Sequence, residues 1–195
     1  MNFLAHTFLS RHNNEWMIGN FIADDVKGKK YLDYPQKISE GILMHRAIDD
    51  FTDHHSVISH SKNILRPKHG LYSGVIIDIF YDHFLAKNWN DYSKENLEDF
   101  IQNAYRVFQS YESVLPERTR NMLKYMMAHN WLLSYANLDG INRALSGMAR
   151  RTKYPSHMDE AINDLIKQYS DFENDFQIFF PLLEKFVEDK FEFNT

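Results

Sequence analysis

A chain of 195 residues that is 44% hydrophobic and 25% charged is expected to bury a single core and to be neither disordered nor fibrous. Without a cysteine it has no disulfide, no thiolate metal site and no cysteine nucleophile. A net charge of −5 argues against non-specific binding to nucleic acid or anionic membrane, and no run reaches the roughly 18 apolar residues of a membrane span.

Seven glycines and five prolines are too few for a turn-rich β-sandwich, and the apolar spacing predicts helices throughout. Residues 2–10 form the first and carry neither a basic leader nor a cleavable apolar core, so the expected compartment is the cytoplasm. A second helix runs from about Glu15 to Val26, and a third begins at Pro35, suited to a first turn, and continues to about Asp53. A weaker helix over Val57–Leu65 stops before Pro67, and Gly70–Trp89 forms a fifth. Ser93 is the expected cap of a sixth, which carries Leu97, Phe100, Ile101, Tyr105 and Phe108. Pro116 starts a seventh that includes Trp131 and Leu132, and Asp139 caps an eighth reaching Met148. The last spans about Met158 to Phe191 with a kink or break at Pro181. The expected fold is therefore all-α, one compact domain over residues 1–195 with about eight to nine helices.

Two helices carry chemistry. In the third, His45, Asp49 and Asp53 follow at i, i+4 and i+8, each about 40° further round, so they extend the apolar stripe of Ile38 and Ile42. In the fifth, Leu71, Val75, Asp78, Asp82, Leu85 and Trp89 share a stripe that is apolar except for the two aspartates. Carboxylates placed there need a compensating cation, either arginine in structural pairs or a divalent metal. His83 points about 100° away from Asp82. Near the start, Asn2 and His6 are also i, i+4, and Asp24 closes the apolar run Gly19-Asn20-Phe21-Ile22-Ala23. P-loop, dinucleotide, zincin and nucleophile-elbow motifs are all absent, which leaves a helical pocket of His and Asp suited to metal-assisted hydrolysis.

At these same residues the chain resembles the acyl carrier protein phosphodiesterase family over nearly its whole length. The resemblance rests on Asn2-Phe3-Leu4-Ala5-His6, Gly19-Asn20, Ala23-Asp24, Gly28, Gly41-Ile42, Met44-His45-Arg46, Ile48-Asp49 and Thr52-Asp53. It continues in Asp78, Asp82-His83-Phe84-Leu85, Trp89, Trp131-Leu132, Gly147-Met148-Ala149 and Arg151. It implies hydrolysis of holo-acyl carrier protein to apo-protein and 4′-phosphopantetheine, a divalent metal with manganese preferred over magnesium, cobalt or iron, and a distant HD-domain-like fold. The chain departs from the HD pattern in having no adjacent His-Asp dipeptide; Asp53-His54 and Asp82-His83 run in reverse order.

Helical facing then gives Asp24, His45, Asp49, Asp78 and Asp82 as the ligand pool. His6 or His83 is the expected proton donor to the leaving serine oxygen, and Arg46 the expected clamp on a phosphate oxygen unless it pairs with Asp50. The partner implied by the resemblance is acidic, so docking on a chain of net −5 calls for a local basic patch. The candidates are Lys27, Lys29 and Lys30, then Arg66 and Lys68, and Arg150 and Arg151 with Lys153. Two further function classes remain open: an HD-like hydrolase of a small phosphoester or nucleotide, and a non-catalytic helical interaction protein.

Overall fold

The computed structural model describes residues 1–11 and 13–191, and every regular element among them is helical. The α-helices are α1 (Phe3–Leu9), α2 (Asn14–Ile22), α3 (Gln36–His54), α4 (Ser56–His69), α5 (Ser73–Lys87), α6 (Leu97–Ser110), α7 (Glu117–Ala128), α8 (Trp131–Ser134), α9 (Leu138–Ala149), α10 (Ala161–Lys167) and α11 (Tyr169–Lys190). Short 3-10 turns join several of them, including Ala23–Asp25 after α2 and Lys30–Asp33 before α3. None of the described helices is long and apolar enough to cross a membrane.

The helix ends follow local chemistry more finely than the apolar pattern indicates. Asn13 caps α2 by accepting from the Trp16 amide, and Asn96, not Ser93, caps α6 by accepting from Glu98. Asn137 takes the cap position of α9, with Asp139 inside its first turn. A left-handed Asn130 ends the expected seventh helix early and sets Trp131 and Leu132 in the separate turn α8. Pro67 and Pro181 both lie inside continuous helices, α4 and α11. Both are exposed, so the carbonyl that each leaves without a helical donor can be hydrated; the break near the C-terminus falls at Gln168 instead.

α5 runs through the core. Ile76, Ile77, Phe80 and Phe84 are fully buried, and Phe80 and Tyr81 meet Phe172 and Phe176 of α11 edge-on at 5.2 and 5.5 Å between ring centroids. The most extensive helix pairing is that of α2 with α3. It is a backbone-to-backbone approach: a Cβ on Gly41 would lie 2.8 Å from the Trp16 Cα and 2.9 Å from the Gly19 Cα. Only glycine fits at either position, and the crossing fixes the depth of His45 one turn after Gly41 and of Asn20 next to Gly19.

Gly41→Ala tests this crossing. In an unobstructed helix the change stabilises by about 1 kcal/mol. Here it should destabilise by about 1–3 kcal/mol through overpacking, read as a lower urea midpoint with an unchanged slope.

Candidate metal centre

Four chain segments converge at one end of the α2–α3 pair. α1 supplies His6, the turn after α2 supplies Asp24, α3 supplies His45 and Asp49 on one face, and α5 supplies Asp78. His6 Nε2 lies 3.2 Å from Asp49 Oδ1, while His45 Nε2 lies 3.0 Å from Asp49 Oδ2 and 3.6 Å from Asp24 Oδ1. The two imidazoles stack face to face with centroids 4.0 Å apart. The Met1 amine sits 3.0 Å from Asp78 and 3.8 Å from Asp49 and so joins the α5 carboxylate to the group. Next to the histidines is a cavity of about 20 Å³, room for a single water or ion, bordered by Asn2, Phe3, Asn20 and Phe21.

Burial and charge polarise the cluster. His6 is pulled down to about 4 by desolvation and by the neighbouring His45. Burial acts to lower His45 as well, but the carboxylates of Asp24 and Asp49 facing its Nε2 outweigh it and hold the ring up to about 9. Asp49 is desolvated too, yet His45 and His6 keep it well below the usual carboxylate range, and the nearby His45 ring lowers Asp24. Among the described residues His6, His45 and Asp49 form the only triplet of donors close enough to share one ion. Their chemistry suits a divalent metal of the Mn²⁺ or Zn²⁺ type. One detail favours a cation between them: His6 Nε2 is buried and makes no hydrogen bond despite its 3.2 Å approach to Asp49.

Not every residue expected from the sequence belongs here. Asp82 is fully buried and accepts from the backbone amides of Asn2, Leu4 and Ala5 at 3.3, 2.8 and 3.2 Å. It therefore satisfies the free N–H groups at the start of α1 and stands outside the His6, His45 and Asp49 triplet. His83 is held by the Tyr135 carbonyl at 2.7 Å and the Tyr169 hydroxyl at 2.8 Å, on the far side of α5 from the donors, as its 100° offset implied. Arg46 donates to the Val26 carbonyl at 2.8 Å and covers the Tyr31 ring, so it straps down the segment after Asp24 and does not pair with Asp50. Asp53 pairs with Lys62 at 2.7 Å on the surface. Arginine compensation of the α5 aspartates is likewise not the solution adopted, since amides serve Asp82 and an amine serves Asp78.

Sequence reading passed over the residues that hold the donors. Asn20 approaches His6 Nδ1 at 3.1 Å, and Asp25 accepts from Thr119 at 2.5 Å and Arg118 at 3.1 Å, which pins the turn carrying Asp24 to α7. Asn20 is a polar residue within an apolar run, a usable signal; nothing local marks Thr119.

The profile of the family described as acyl carrier protein phosphodiesterase matches residues 1–183. The chain belongs to that family. It is 33% identical over 191 residues to the acyl carrier protein phosphodiesterase of Klebsiella pneumoniae, covering 97% of this chain and 99% of that one. The enzymes of that name from Photorhabdus laumondii and Yersinia enterocolitica are 31% and 30% identical, again over 97% of this chain, and over 96% and 99% of theirs. No solved structure matches the chain significantly, so the HD-domain relationship rests on the sequence resemblance alone.

Two outcomes follow from the geometry. Asp82→Asn leaves one acceptor oxygen for three buried amides and should cost about 2–4 kcal/mol in the urea midpoint, whereas exposed Asp24→Asn should cost under about 1. The second concerns pH in metal-free protein. Because His45 is raised from 6.5 to about 9, its stabilising contribution is complete below 6.5 and is lost as pH climbs through 9. The stability gap between wild type and His45→Gln should shrink over that window, by roughly 3 kcal/mol at most; a gap independent of pH would show that His45 is not held as a cation.

Proposed function

We propose that this chain hydrolyses the phosphodiester that joins 4′-phosphopantetheine to a serine of holo-acyl carrier protein, with a divalent metal, manganese by preference, held by His6, His45 and Asp49. The carrying observation is the buried His6 Nε2, without a hydrogen bond and turned toward Asp49 and His45. Family membership supports the phosphodiester chemistry, and the names of the relatives support the carrier protein as substrate. A metal in this place supplies Lewis-acid neutralisation of the phosphoryl charge.

The protein's own groups divide the remaining work. Asp49 faces both imidazoles and fixes their spacing, and Asp78 closes the α5 side. Asp24, beside His45 and with 76% of its side chain exposed, is the group best placed to accept a proton from the attacking water. The water oxygen bonds to phosphorus, the bond from phosphorus to the serine oxygen breaks, and the proton that Asp24 took from the water passes to that oxygen. His6, buried and pulled down to about 4, is a poor source for it, which shifts the acid role away from both histidines first considered. Lys27, Lys29 and Lys30 are exposed on the segment that follows Asp24 and are the preferred docking patch for an acidic carrier protein. Arg150 and Arg151, also exposed, follow α9 and serve as an outer patch. The expected compartment is the cytoplasm.

Mass spectrometry of holo-carrier protein incubated with the protein decides between readings. Mn²⁺ should give apo-carrier protein and 4′-phosphopantetheine; chelation, Asp49→Asn or His45→Gln should lower the rate about 100-fold or more. Lys29→Glu with Lys30→Glu should raise KM with kcat little changed. Full turnover by metal-free protein would overturn the metal centre. Hydrolysis of small phosphodiesters with holo-carrier protein untouched would favour a small-molecule hydrolase, and inertness toward both, the non-catalytic reading.

A further inference from the structure

Behind His6 lies a short buried chain of polar groups whose hydrogen-bond directions can be worked out. Ser10 Oγ is 2.9 Å from the His6 carbonyl and 2.9 Å from Asn20 Nδ2. The carbonyl only accepts, so the one hydroxyl hydrogen goes to it, and Ser10 presents a lone pair to Asn20. Asn20 must then turn its amide N–H to Ser10 and its Oδ1 to His6 Nδ1, 3.1 Å away. Oδ1 cannot donate, so the hydrogen of a neutral His6 ring resides on Nδ1 and the lone pair on Nε2. Ser10, Asn20 and His6 are 0%, 2% and 3% exposed, so bulk solvent does not compete for these bonds.

We propose that Ser10 and Asn20 are positioning residues that lock His6 in the Nδ1–H tautomer and so present the Nε2 lone pair to the cation between His6, His45 and Asp49. The ligand role rests on the metal-centre reading above; the tautomer does not. With the hydrogen on Nε2, the ring would instead donate to Asp49 across the 3.2 Å separating them and close the position to a metal. His45 provides the contrast, since its Nε2 faces Asp49 at 3.0 Å and Asp24 at 3.6 Å while its buried Nδ1 has no hydrogen-bond partner, an arrangement that favours the hydrogen on Nε2. The two stacked rings therefore differ: the surroundings of one direct a lone pair toward the cation position, and those of the other direct a hydrogen toward the carboxylates.

The test is long-range ¹H–¹⁵N correlation on histidine-labelled, metal-free protein near neutral pH, together with Mn²⁺ titration by calorimetry. Wild-type His6 should show a protonated Nδ1 and a pyridine-type Nε2. Asn20→Asp keeps an acceptor facing Nδ1 and should retain that tautomer and most of the Mn²⁺ affinity. Asn20→Leu should mix the tautomers and weaken Mn²⁺ binding about 10–100-fold. Ser10→Ala, a gentler change that serves if Asn20→Leu does not fold, frees the amide to flip and should give a smaller shift the same way. An Nε2–H tautomer in the wild type overturns the proposal, as do unchanged His6 signals in Ser10→Ala and Asn20→Leu. Failure of the wild type to bind Mn²⁺ while His6 remains Nδ1–H would sink the metal reading and still support the lock.

Discussion

The three hydrogen bonds from Asn2, Leu4 and Ala5 to Asp82 are the constraint on which the rest of the site depends. α1 is only seven residues long and cannot be stable by propensity alone. What holds it is a carboxylate from the central helix α5 placed against its free amides, where the helix dipole also favours negative charge. With the start of α1 anchored, His6 follows within a turn over α3, and its ring stacks on His45. Burial pushes the Asp82 carboxyl up to about 7 against those hydrogen bonds, a sign of how far from water the anchor lies.

A second layer of the same logic acts from below. The Gly19–Gly41 crossing lets α2 and α3 approach at backbone distance, and that approach places Asn20 behind His6 and His45 in front of it. The donors are thus set by packing that none of them makes directly. Asp24 is the exception: it sits on an exposed turn, steadied by Asp25 against Thr119 and by Arg46 at the Val26 carbonyl.

The all-α fold and the His45–Asp49 pair were legible because both rest on a 3.6-residue period, which survives in sequence whatever the partner element. Asp78 and Asp82 were not separable in that way. They share one stripe one turn apart, and only the landing place of α1, a matter of tertiary packing, turns one into an anchor and leaves the other at the centre. Pro67 and Pro181 misled for a related reason: the cost of a proline inside a helix depends on whether the orphaned carbonyl meets water, and exposure is decided by the fold. The cap of α6 was misplaced by three residues because Ser93 and Asn96 are both good caps and only the backbone path chooses between them.

The distribution of the donors over α1, the 23–25 turn, α3 and α5 has a consequence for the life of the protein in a cell. Apart from the His45–Asp49 step along one helix, no two of these groups are neighbours in an unfolded chain, so a cation held by three of them, as proposed, would bind the native state far more tightly than the unfolded one. Each tenfold rise in free ion above the dissociation constant would then add about 1.4 kcal/mol to stability, a sizeable share of the total for a domain of this size. Proteases that act on the transiently opened chain would consequently clear it fastest in metal-starved cells, and its abundance would follow ion supply without any dedicated regulator.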